Sequence, residues 1–321
     1  MLIDLVQAAA QATQQIGPAA GGPRGPGGPG GPPPGFSFTE AFFQLVQFVG
    51  YFFAMGAIGF RFGIVRQTRG ITDEAKRILL ADNAAMFGII GVVLLAISFL
   101  GGPYLQSITE HKAFLQVLPK NIGPFEFKLA MLLIALIGFG VVRASPGLGW
   151  TLAVIGILLL VLQPVYTGRG SGKINAVHVF AASTWLGTLL VLALIGIRGV
   201  IRAGRPGLPR AQLVSDLVNS FSPLALTAAS VVAITGVTTA WMHLKRASAL
   251  WTTGYGITLV IKLLFVLGVA SMGAWNWRRV RPSLGESGSE EMIRRSATME
   301  LTFGALVLLA TAVLVTLPSP R

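Results

Sequence analysis

A chain with no cysteine, three histidines and eight methionines offers few side chains that could hold a metal ion or carry a proton. Thiolate sites, iron–sulfur clusters and disulfides are excluded outright. His178 and His243 fall within or at the end of long apolar runs, whereas His111 falls in a loop. At His243, a neutral imidazole next to the Met242 thioether is a donor pair that suits a soft cuprous ion. Beside Lys245 and Arg246, the same histidine also reads as an ordinary interfacial residue. His178 stands seven residues before Trp185, the spacing of one helical face, and both should turn toward a bundle interior. The plainer alternative is a hydrogen-bonded histidine near the membrane surface. Lys262 lies about six residues, or roughly 9 Å, inside another apolar run. Either its ammonium snorkels to the headgroups, or it faces a polar pocket shared with His178. In such a pocket it could bind an anion, pair with a carboxylate or hold a cofactor propionate.

Asn276 and Glu300 end one apolar run and begin the next, close to Arg278 and Arg279. They read as a structural polar pair clamping two neighbouring helices, with a proton-carrying Glu300 as the alternative. No Walker loop, zinc-protease motif or nucleophile elbow is present, and the GRGSG at 168–172 has no strand before it. A transport or binding role therefore fits better than an enzyme's.

These residues must be positioned by membrane helices. Of 321 residues, 53% are hydrophobic and 12% are charged, and mean hydropathy is +0.70. Soluble domains carry roughly 25% charged residues, so the bilayer is the main solvent. The net charge of +13 comes from short basic clusters between apolar runs, with no basic domain to grip nucleic acid. The fold class expected is all-α, a polytopic bundle of about eight transmembrane helices. The spans fall near 42–65, 84–100, 125–142, 148–166, 174–197, 222–242, 256–276 and 298–317. A polar turn at 167–173 divides them into two four-helix halves, 37–166 and 167–321. Ahead of them, residues 1–36 form an exterior segment. It begins with a short surface helix over 1–15 and continues as a disordered Gly/Pro-rich linker at 17–35.

Fifteen of the 25 basic residues fall in the first, third, fifth and seventh connections, which should therefore be cytoplasmic, with both termini exterior. Trp150, Trp241, Trp251, Trp275 and Trp277 sit at span ends as interfacial anchors. Gly50, Gly56, Gly59, Gly88, Gly91, Gly187 and Gly236 should let helices approach closely.

The second half, from Asn175 to Pro318, resembles the membrane domain of the copper resistance protein D (CopD) family. The resemblance rests on HVFAASTWLG (His178, Trp185, Gly187), FSPLAL with the later Thr235–Gly236 pair, YGITLVIK (Tyr255, Gly256, Lys262), Asn276 and the stretch from Glu300 to Pro318. YFFAMGAIGFRF is similar to the opening helix of eight-span members. Thr188 stands where a second glycine is common. Arg169 stands where longer members tend to carry histidine, and a guanidinium cannot ligate a metal. The resemblance implies a multi-pass protein of the bacterial inner membrane that handles copper, often near a periplasmic copper-binding partner. For such copper, ligand scarcity points to an exterior site built around His178, with His243 and Met242 as partners and Lys262 behind them. The chain is also distantly similar to HemJ-type membrane proteins. That implies haem b instead, with His178 as axial ligand and Lys262 on a propionate. A third reading, an accessory subunit of a larger membrane complex, needs no metal.

Overall fold

The computed structural model describes residues 37–66, 82–167, 171–197, 210–244, 246–276, 278 and 289–318. The expected amino-terminal helix and linker, Trp277, Arg169, Lys245 and most of the basic loops lie outside the described residues.

Among the described residues the chain is helical, with no strand. Helix α1 (Phe38–Gly59) runs on into a π-helical turn, Phe60–Val65. Then follow α2 (Asp82–Thr109), α3 (Phe114–Val141), α4 (Pro146–Val161) and the short α5 (Gln163–Thr167). Helix α6 (Ser171–Val191) also ends in a π turn, Leu192–Ile197. The remainder are α7 (Arg210–Leu244), the short α8 (Ala249–Thr252), α9 (Gly254–Trp275) and α10 (Ser289–Thr316).

Local chemistry explains several of the helix starts. The Ser37 hydroxyl caps α1 by accepting from the Glu40 N–H at 3.3 Å, with Glu40 in the first turn. Pro146 opens α4, where its missing N–H costs nothing. Thr253 caps α9 by accepting from the Gly256 N–H at 3.0 Å.

Six helices among the described residues are long and apolar enough to cross a membrane. They are Phe38–Val65, Asn83–Thr109, Ser171–Ile197, Leu213–Leu244, Gly254–Trp275 and Arg295–Thr316, and the chain is a multi-pass membrane protein. Helix α3 occupies the place of the third expected span. The fourth is broken: α4 has 16 residues, about 24 Å at 1.5 Å per residue, and stops before α5 begins. Pro164 accounts for the break, because it lacks the N–H that would bond Leu160 and its ring crowds that carbonyl.

Helix α1 is the hub, packing on α2, α6 and α10. Its most apolar window is 72% buried, against 17% for α7 and for α9, so the rest of the chain covers little of those two helices. The α1–α6 crossing is made of small residues. A Cβ on Gly56 would meet the Gly187 backbone, and one on Gly187 would meet the Phe52 carbonyl. Thr188 faces Gly59, whose missing side chain leaves it room. Gly50 and Gly91 make a similar contact between α1 and α2. One apolar core runs from Tyr51 and Phe60 through Leu95, Phe139 and Ile157 to Leu192 and Leu217, so α1 to α4, α6 and α7 share it. Trp150 belongs to that core and is not a lipid-facing anchor. It is buried, with its ring edge-on to Phe62 and Phe139. Trp241, Trp251 and Trp275 are exposed, as interfacial indoles should be.

Candidate functional site

Helix α7 organises the candidate site through one face carrying Thr235, Thr239 and His243, each four residues from the next. The His178 ring of α6 lies against this face. Its Nδ1 is 3.0 Å from Thr235 Oγ1. A Cβ added to Gly236 would come within 3.2 Å of His178 Cε1, so the glycine makes room for the ring.

The surrounding hydrogen bonds favour one tautomer of the histidine. The Thr235 hydroxyl donates its one proton to the Val231 carbonyl at 2.6 Å. Thr235 Oγ1 then accepts from His178 Nδ1–H, the Val232 carbonyl is a further backbone acceptor for the ring, and in the Nδ1–H tautomer Nε2 keeps its lone pair. One such bond is worth about 1 kcal/mol net. Its main effect is to orient the ring. At His243, Nδ1 lies 2.8 Å from the Thr239 carbonyl, which can only accept, so Nδ1 donates and Nε2 is the nitrogen that the neutral ring offers as a donor to a metal. The two half-buried imidazoles are thus both anchored on one face of α7, His178 at the level of Thr235 and Gly236 and His243 about two helical turns further along.

Lys262 is half-buried on α9, eight residues past the start of that helix. It is close enough to His178 to act on it electrostatically. Among the described residues it makes no hydrogen bond or ion pair. Tyr255, one residue into α9, stacks on the His243 ring at 6.0 Å between centroids and 16° between planes. That stack brings the carboxyl-terminal end of α7 and the amino-terminal end of α9 together, where Tyr255 and Leu259 pack with Leu314 and, on α7, Ala240 and Leu244. Among the described residues, the hydroxyl of Thr239, one turn before His243, is buried without a partner.

The other expected site residues are distributed as follows. Met242 is exposed, adjoining His243 in sequence on α7. Trp185 lies two turns deeper than His178 on α6 and packs between the main core and the Phe52–Leu186–Val269 cluster. His111 sits exposed in the turn after α2 with a φ of 51°. Among the described residues, no three His, Asp or Glu side chains are grouped as a metal site. At the opposite end of the bundle, the Asn276 amide N–H donates to Glu300 Oε1, and the Ser296 hydroxyl donates to Asn276 Oδ1. Glu300 and Ser296 are buried.

Sequence reasoning passed over Tyr255 and Ser296 and gave Thr235 little weight. Ser296 stands one helical turn before Glu300, a spacing that places both on one face. Tyr255 shows only as the first residue of YGITLVIK.

Residues 215–314 match the family profile of copper resistance protein D (CopD). The matched stretch contains Thr235, Met242, His243, Tyr255, Lys262, Asn276 and Glu300, while His178 comes to it from α6, before the match begins. A similar protein is the copper transport protein CutJ of Bacillus subtilis (strain 168), 27% identical over 179 residues. The alignment covers 53% of this chain and 31% of that relative's length. No solved structure matches the chain.

Proposed function

We propose that this protein handles copper(I) at the bacterial inner membrane, moving it or holding it for transfer through an exterior-side pocket between α6, α7 and α9. The observation that carries this reading is the His178 tautomer, in which Nδ1–H is tied to Thr235 and Nε2 is left as a lone-pair donor inside a membrane helix. Anchoring the far nitrogen of a ligating histidine is a usual way to orient it toward a metal. The CopD profile match and the similarity to a copper transport protein support copper as the cargo.

The donor chemistry fits a soft monovalent ion. Imidazole nitrogens and a thioether suit copper(I), and among the described residues no carboxylate cluster is offered that would favour a hard divalent cation. His178 is the principal ligand in this reading, with His243 and Met242 as its partners. Lys262, cationic beside the pocket, disfavours a resting divalent ion by charge. The carboxyl-terminal half, 167–321, is the working unit, both termini face the exterior, and a periplasmic copper-binding protein or another membrane subunit exchanges the ion there.

The test is an optical spectrum together with metal analysis of the protein purified under reducing conditions with copper(I). Stoichiometric copper without a Soret band supports the reading. A Soret band selects haem b on His178, and neither signal selects an accessory subunit without metal.

A further inference from the structure

We propose that Glu300 is a proton-carrying site at the end of the bundle opposite the His178 pocket, and that its protonation is coupled to movement of the cation. The coupling rests on the transport reading above; the protonation does not.

Glu300 lies five residues into the span Arg295–Thr316 and is only 7% exposed. Its described partner is neutral, the Asn276 amide, whose own oxygen is occupied by the Ser296 hydroxyl. The described charged groups toward this end, on the elements packed around α10, are Arg61 and Arg66 after α1, Asp216 on α7, Arg278 after α9 and Arg295 on α10. None of them is paired with Glu300 among the described residues. The other titratable groups on those elements lie toward the opposite end: Glu40 and Tyr51 on α1, Lys173 and His178 on α6, His243 on α7, Tyr255 and Lys262 on α9.

A clamp between α9 and α10 needs no acid. Glutamine would accept the same Asn276 bond without the desolvation cost of a buried carboxylate. The arrangement also tolerates both charge states. Asn276 donates to Oε1 whether or not Glu300 is ionised, and Oε2, which has no described partner, is where the proton is held. Ionisation releases that proton to water at the loop end of α9 and α10 and leaves the clamp intact. Helix α9 carries both Asn276 and Lys262, fourteen residues or about 21 Å apart, so one rigid element touches both sites. An electroneutral exchange follows, in which one monovalent cation passes one way for each proton released the other way.

Two measurements on the full chain test this. In infrared difference spectra across a pH titration, the wild type should show a protonated-carboxyl stretch that disappears as pH rises, and Glu300→Gln should lack it. No such band, a band that does not titrate, or its persistence in Glu300→Gln overturns the proposal. In proteoliposomes, copper(I) uptake by the wild type should vary with pH. Glu300→Gln should lose that dependence while binding as much copper(I), and Glu300→Asp should restore part of it. Uptake by Glu300→Gln with the wild-type pH profile overturns the coupling. A wild type that moves no copper removes the transport reading alone and leaves the infrared result to decide the proton site.

Discussion

Thr235 decides what His178 can do. Without its hydroxyl, His178 loses the side-chain acceptor on Nδ1 and keeps only the Val232 carbonyl, so the ring is held less firmly. Removing such an outer partner costs a metal site about 10–100-fold in affinity. Thr235→Val should therefore weaken copper(I) binding by about that factor, measured by competition with a chromophoric copper(I) chelator, while membrane insertion is unchanged. Unaltered affinity would show that the Thr235 contact is incidental. His178 and Lys262 were legible in the sequence because a titratable group in a long apolar run is costly and stands out. Thr235 was not, because a hydroxyl in a membrane helix usually bonds its own backbone. Thr227, Ser230 and Thr238 of α7 do only that. Nothing in the residue types distinguishes the one threonine that also meets a histidine 57 positions away.

At the scale of helices, the α1–α6 crossing ties the first part of the chain to the helix that carries His178. Gly56 and Gly187 lie backbone to backbone there, so a side chain at either position must drive the helices apart. Gly187→Leu should lower the melting temperature in detergent, with a destabilisation of about 1–3 kcal/mol or more as in other overpacked interiors. Gly140→Ala, on an exposed face with open space around it, should leave melting unchanged or raise it slightly. Equal melting of the two variants would contradict the close crossing. Hydropathy located the helices but not their ends. Helix α2 continues through Gly101, Gly102 and Pro103 to Thr109, and α7 begins at Arg210, well before the apolar stretch near Ser222. Apolar runs report the part of a helix in hydrocarbon, and the polar turns that extend it into water carry no such signal. Trp150 was misread for a related reason: its place near the end of a run was visible, but the aromatic rings of Phe62 and Phe139 that enclose it come from other helices.

For the whole molecule, the helical membrane architecture followed directly from composition, whereas the hub role of α1 did not. Helix α1 is no more apolar than its neighbours, and its centrality comes from small residues that match small residues on α2 and α6. The proposed orientation rests on the charge of the basic connections. Arg205→Cys, in an otherwise cysteine-free chain, should resist an impermeant thiol reagent in intact cells and react after permeabilisation. Labelling in intact cells would reverse the topology and put the His178 pocket on the inner side. The function proposed for the assembly rests on the pocket itself, so the most direct measurement is the copper content of His178→Ala purified beside the wild type after equal copper(I) loading. The account predicts stoichiometric copper in the wild type and its loss in His178→Ala, with unchanged insertion and folding. Full copper retention in His178→Ala would contradict it.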